Sequence, residues 1–174
     1  NCAAGLVLYV KRTATGSNHG RSWVDAYRTV QDALADPCLQ EGGEIWVAAG
    51  VYYPDEGANQ QDNARTATFY LKKGVALYGG FAGDEATREM RDWQKNPTVL
   101  SGDLEQNDGT DTTGLVISPD SIAGINAYHV VTIQAIAATL RLDGFLITGG
   151  KAEDHSDVAC TVQCGGGIFS LGAT

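Results

Sequence analysis

Basic residues and long apolar runs are scarce in this chain of 174 residues. Lys plus Arg number 12 against 21 Asp plus Glu, giving a formal net charge of -9, and no basic run offsets it. Such a surface repels phosphate backbones, so no nucleic-acid partner is expected. No apolar stretch approaches the ~20 residues that a membrane-crossing helix needs, so no membrane insertion by this segment is expected. Proline is scarce at 4 residues, and neither a collagen period nor a low-complexity tract occurs. There is no usable Asn-X-Ser/Thr acceptor, because Pro97 follows Asn96. A nucleophile elbow and a phosphate-cradling loop are also missing. The chain opens on Asn1 without a signal-peptide pattern and is expected to be a mature or trimmed product.

Glycine is abundant, with 22 residues. Lacking a Cβ, glycine fits tight corners and close backbone approaches, so these residues read as punctuation between many short strands. Hydrophobic residues make up 43% and charged residues 19%, which suits one globular domain over residues 1–174. Four cysteines allow three connectivities. The expected disulfides are Cys2 with Cys38 and Cys160 with Cys164, consistent with an oxidising, secreted location.

Leu6 to Val10 is an apolar run that reads as a strand, followed by a polar loop to Gly20. A helix is expected next. Ser22 and Asp25 resemble a capping box, Trp23, Tyr27, Val30 and Leu34 line one face, and Pro37 ends it. Residues 1–43 therefore form an N-terminal strand and helix, and 44–174 a strand-rich body. Strands are expected at Glu44–Val47, Val51–Tyr53, Phe69–Leu71, Val75–Tyr78, Thr98–Ser101, Leu115–Ile117 and Tyr128–Ile133, with a short polar helix over Glu85–Trp93. In Thr139–Gly150, Leu140 and Leu142 face inward and Arg141 outward, and Phe145 and Ile147 repeat the pattern after Asp143-Gly144. Gly165–Leu171 looks like the start of another strand. Asp-Gly between alternating runs is a hairpin signal and suits an antiparallel sandwich. Recurrent strand-to-glycine endings at Gly79-Gly80, Gly102, Gly149-Gly150 and Gly166-Gly167 suit a solenoid equally well.

A resemblance tips that balance. Tyr9-Val10, Gly20–Ala35 (GRSWVDAYRTVQDALA), Glu44–Tyr52 (EIWVAAGVY), Thr68–Gly83 (TFYLKKGVALYGGFAG), Arg91-Asp92-Trp93, Thr98–Asp103 (TVLSGD), Tyr128–Val131, Leu142–Gly150 (LDGFLITGG) and Gly165–Phe169 (GGGIF) follow in order. In these stretches the chain resembles large bacterial secreted proteins with a pectate-lyase-like right-handed parallel β-helix. Many of those are similar to polymorphic outer-membrane proteins, and many carry a C-terminal anchoring or sorting domain. The resemblance implies an all-β solenoid whose N-terminal amphipathic helix caps one end, covering strand edges that would otherwise pair with other chains.

Several residues are candidates for chemistry, each with a plainer reading beside it. Asp103, Glu105, Asp108 and Asp111 form the best cation candidate, with calcium the ion considered, although a solvated acidic loop is the default and no EF-hand spacing is present. Arg141 beside Asp143 suits a base next to a carboxylate, or an ordinary surface pair. His155 with Cys160 and Cys164 falls short of a four-ligand zinc set. His129 reads as a core or edge histidine, and His19 as a loop residue without a partner. Trp46, Tyr52, Tyr53, Tyr78 and Trp93 are either sugar-stacking platforms or packing residues. No catalytic residue is assigned and no cofactor is expected. The functional expectation is an extracellular structural or adhesive module of the bacterial surface, an adhesin or filament subunit that self-associates through Gly166, Ile168, Phe169 and Leu171 at an open C-terminal end. The alternative is a polysaccharide lyase or carbohydrate-binding protein acting on acidic glycans.

Overall fold

Short alternating segments become strands here, and all of them pair in one direction. The computed structural model describes residues 2–71, 74–134, 139–153 and 164–171. Its strands are β1 (Val7–Val10), β2 (Glu44–Ala48), β3 (Gly50–Tyr52), β4 (Phe69–Leu71), β5 (Ala76–Phe81), β6 (Thr98–Ser101), β7 (Val131–Gln134), β8 (Arg141–Asp143), β9 (Leu146–Thr148) and β10 (Ile168–Leu171). A first sheet has the order β1-β2-β5-β8, a second β3-β6-β9 and a third β4-β7-β10. Every pairing between these strands is parallel. After β1 the chain visits first, second and third sheet in turn, and does so three times. The protein is all-β with very little helix.

Register aligns the apolar columns. Leu8, Ile45, Leu77 and Leu142 are successive partners in the first sheet, Tyr52, Leu100 and Ile147 in the second, and Phe69, Val131 and Ile168 in the third. All but Ile168 belong to or pack on one core cluster. The alternate column of the first sheet, Tyr9, Trp46 and Tyr78, points the other way and enters a second cluster with Trp23 and Phe81. Trp46 and Phe81 stack with centroids 5.0 Å apart, and Tyr9 meets Trp23 edge-on at 4.8 Å. The first sheet is thus covered on both faces.

The hairpin reading of Asp143-Gly144 does not hold. β8 and β9 lie in different sheets and pair with β5 and β6, not with each other. Gly144 has φ +80°, the left-handed region that favours glycine, and turns the corner between them. The corners also stack closely. A Cβ on Gly144 would lie 2.7 Å from Gly79 O, and one on Gly79 would lie 2.5 Å from Gly144 O.

The expected helix from Ser22 is corrected to a six-residue helix α1 (Val30–Ala35). Thr29 is its N-cap, with Oγ1 accepting the Asp32 N–H at 3.1 Å. Backbone pairing wins over helix in the residues before it. Tyr9 N–H donates to Gly20 O, Tyr27 N–H to Tyr9 O and Lys11 N–H to Tyr27 O, so this segment lies along the free edge of β1. Ser22 and Asp25 do interact, but in a loop: Asp25 N–H donates to Ser22 Oγ at 3.1 Å. Trp23 lies off the helix and donates its Nε1–H to Glu85 O at 2.9 Å.

Within α1, Val30, Ala33 and Leu34 enter the main core. Gln31, only 5% exposed, donates its side-chain amide to Pro54 O and Thr68 O, beside the ends of β3 and β4. Cys2 and Cys38 form the expected disulfide, tying the start of the chain to the segment after the helix. Cys160 of the other expected pair, and His155, lie outside the described residues. The short polar helix expected over Glu85–Trp93 is a 3-10 turn at Arg88–Met90. Leu115–Ile117 is loop, held by the isolated bridge Thr110–Val116.

Candidate functional site

Connections between second and third sheet are all long, running from β3 to β4, from β6 to β7 and from β9 to β10. They leave the body at the same corner and are joined to one another. Arg65 donates from Nε to Asn126 O and from Nη2 to Lys151 O, both at 2.9 Å, and its guanidinium lies 4.2 Å from the Tyr128 ring centroid. Arg12 forms a two-point pair with Glu56 at 2.6 and 2.8 Å, and Gln106 reaches the same carboxylate at 3.2 Å. One arginine therefore spans three loops.

The acidic loop is built into this corner at Asp103 and Asp108, which are buried, whereas Glu105 and Asp111 are exposed. Asp103 is 4% exposed and accepts the N–H groups of Asn107 and Asp108. Asp108 accepts from Ala123 N–H at 2.7 Å and from Asn126 Nδ2 at 2.8 Å. Glu105 accepts Ile125 N–H, and Asp111 accepts from Thr113 and Leu115. These carboxylates hold loop backbone, and among the described residues no three His, Cys, Asp or Glu side chains gather around a metal position. Asp55 in the neighbouring loop is held above the ordinary carboxylate range by burial, with Asp62 and Glu56 adding to the effect against the Asn63 N–H bond.

The aromatic candidates divide sharply. Trp46 and Tyr78 are 6% exposed and Tyr52 only 1%, so they are packing residues. Tyr53 is half-buried, with Arg12 5.5 Å from its ring centroid. Trp93 is 58% exposed and is the platform that remains. It forms a shallow pocket of about 250 Å³ with Asp143, Gly144, Phe145 and Leu146 at the tight corner between first and second sheet.

That pocket is held by a strut. Arg91 Nη2 donates to Asp143 Oδ1 at 2.6 Å, while Nη1 donates to Gly79 O at 3.0 Å and to Asp143 O at 3.3 Å. Asp92 N–H and Asn96 Nδ2 both donate to Gly80 O, seating the Trp93 loop on the corner. Gly80 has φ +91°, and a Cβ there would lie 2.7 Å from the Trp93 backbone, so close seating requires glycine. Arg141 approaches the other Asp143 oxygen only at 3.9 Å. The sequence pairs Asp143 with Arg141, whereas the short contact comes from Arg91, 52 residues away.

The remaining candidates are dispersed. His129 is 8% exposed, stacked on Phe169 with centroids 4.5 Å apart, and its Nδ1 lies 3.2 Å from Gly165 O. His19 has partners after all: its Nδ1 accepts Arg21 N–H at 3.2 Å, and its Nε2 is 3.8 Å from Asp25. In the terminal strand Gly166 O already accepts Val130 N–H, Ile168 is 45% exposed, and Leu171 pairs with Gln134. The roles of Arg65, Gln31 and Arg91 depend on distant carbonyls, which neither local spacing nor the stretches Gly20–Ala35 and Arg91-Asp92-Trp93 reveal. No protein-family model, curated protein or solved structure matches this chain.

Proposed function

We propose that this chain is a right-handed parallel β-helix serving as an extracellular structural and adhesive module, like the bacterial secreted β-helix proteins that its sequence resembles. The observation that carries this reading is the threefold recurrence of sheet order, with every strand pairing parallel. Stacked coils give a stiff body, and long connections at one corner give a lateral loop face, the arrangement in which repeat proteins bind. The Cys2–Cys38 disulfide fits an oxidising location outside the cell.

The two ends of this body differ in a way that sets how copies meet. α1 lies against β1 and β4 and acts as the lid of one end, with the Gln31 amide occupying edge carbonyls. The other end presents β8, β9 and β10 as edge strands of their sheets, with Ile168 exposed in the core column. Unpaired edges recruit strands by β-augmentation. α1 lies over β1 and β4 at the lidded end, so copies of the polypeptide of residues 1–174 are proposed to join open end to open end, as a pair and not as a filament. Sedimentation analysis tests this. A dimer that Ile168→Asp and Phe169→Asp convert to folded monomer supports the reading. A monomer at every concentration, or particles growing beyond two copies, overturns it.

A further inference from the structure

We infer that the Trp93 pocket is a saccharide site that takes an uncharged pyranose. This deepens the adhesive reading by naming the ligand class, and it stands on the pocket geometry whether or not copies associate. An indole 58% exposed on a small domain is an unusual use of a residue that gains much from burial. Here the exposure is imposed by design of the loop: Gly80 admits the Trp93 backbone at close range, and Asp92 and Asn96 pin the loop to Gly80 O. The indole is therefore presented and preorganised, so little ordering entropy is lost when a flat apolar ligand face stacks on it.

The polar groups around it specify hydroxyls. Asp143 has one carboxylate oxygen bound to Arg91 at 2.6 Å, while the other meets Arg141 only at 3.9 Å and retains acceptor capacity. Arg141, with its side chain 59% exposed, keeps free N–H donors next to that acceptor. An acceptor and a planar donor side by side match two neighbouring hydroxyls of a sugar ring. Phe145 and Leu146 complete the pocket wall with apolar surface. Charge decides between sugar classes. Asp143 is the charged side chain lining the pocket, and Arg91 neutralises it through a 2.6 Å ion pair. Discrimination comes from the chain as a whole, whose net charge of -9 repels a polyanionic glycan and leaves neutral sugars unopposed.

The test is direct binding with defined probes. Gluco-, xylo- and manno-oligosaccharides are titrated against the intact protein with polygalacturonate as the anionic control, following tryptophan fluorescence and calorimetry. Trp46 is buried and Trp23 is packed in the second cluster, so quenching by a ligand reports on Trp93. At least one neutral oligosaccharide is expected to bind and shift the emission. Trp93→Ala is expected to weaken it at least tenfold, and Asp143→Asn severalfold, with unchanged melting temperature for the Trp93 variant. Binding of no neutral probe, equal binding by Trp93→Ala, or preference for polygalacturonate each overturns the inference. A protein that binds sugar yet stays monomeric upholds this site while sinking the proposed end-to-end pairing.

Discussion

Replacing Gln31 by Met isolates what the short helix contributes beyond its apolar face. Gln31 is 5% exposed, and its amide donates to Pro54 O and, at 3.0 Å, to Thr68 O. Methionine keeps nearly the same volume and a similar helix propensity, so cavity and propensity changes stay small. What is lost is both donors to two carbonyls at a buried edge. A buried group deprived of its partner costs about 1–3 kcal/mol, and a carbonyl, with two lone pairs, lies at the lower end. The expected loss is about 2–3 kcal/mol, which for a chain of this length lowers Tm by roughly 4–10 °C. Calorimetry reads the shift, and urea titration should show a lower midpoint with unchanged slope. Gln31→Glu should be worse, since a carboxylate has no N–H to offer and repels both oxygens. If Gln31→Met melts within about 1 °C of the parent, the two hydrogen bonds do not hold that edge and α1 contributes through its apolar face alone.

Three further outcomes follow from named contacts. Gly79→Ala places a Cβ 2.5 Å from Gly144 O, backbone that cannot rotate away, and is expected to cost about 1–3 kcal/mol in urea denaturation. Asp36 and Asp55 should respond to pH with opposite sign. Burial opposes the Asp36 charge, but Arg21, Cys38 N–H and Tyr27 outweigh it and hold its pKa below the ordinary value; its stabilisation is therefore present above the unfolded pKa of about 3.9 and is lost as pH falls through the folded one. Asp55 is raised, so it weakens the fold at neutral pH and that weakness fades as pH falls through its folded pKa. Hence Asp36→Asn should lower Tm at pH 7, while Asp55→Asn should leave it level or raise it, and the reverse pattern would discard this assignment. Reduction of Cys2–Cys38, which are 36 residues apart, should cost up to about 4 kcal/mol by chain entropy, read as a lower urea midpoint in reductant.

Local alternation was enough to find most strands, because a strand with one buried face writes its period directly into the sequence. Leu140, Arg141 and Leu142 are an instance, and β8 lies there in register with β5. The same logic misleads for the first sheet. Trp46 and Tyr78 alternate with core residues and so read as outward, yet both are buried, because Trp23 and Phe81 pack on that face. Helical spacing overextends the helix for a related reason. Ser22, Trp23, Asp25 and Tyr27 satisfy helical spacing, but β1 has a free edge, and Gly20 and Tyr27 bind it through their backbones. Spacing within a segment carries no information about a neighbour's unsatisfied amides. The Trp93 pocket was half legible: the exposed indole was a candidate, while its Arg91 strut needed the fold to bring Gly79 and Asp143 together.

The two kinds of corner explain where variation is tolerated in such a body. Between first and second sheet, Gly79 and Gly144 approach backbone to backbone and neither admits a side chain, while residues 82–97 leave the body only after that turn. Between second and third sheet the chain leaves and returns over long stretches, and closing a longer loop adds only about 0.6 kcal/mol per doubling of length. Insertion there is cheap in entropy, and Arg65 limits what remains by joining three loops through Asn126 O, Lys151 O and the Tyr128 ring. Strand register and loop packing are thereby carried by different residues. Loop sequence at that corner can change without moving a strand, whereas a substitution at Gly79 must shift one. Arg65→Ala should therefore loosen the loop face, seen as faster amide exchange in residues 126–128 and 151, while the strands keep their protection. Equal loosening of β5 and β6 would mean that loops and body are one cooperative unit, and that the separation of roles does not exist.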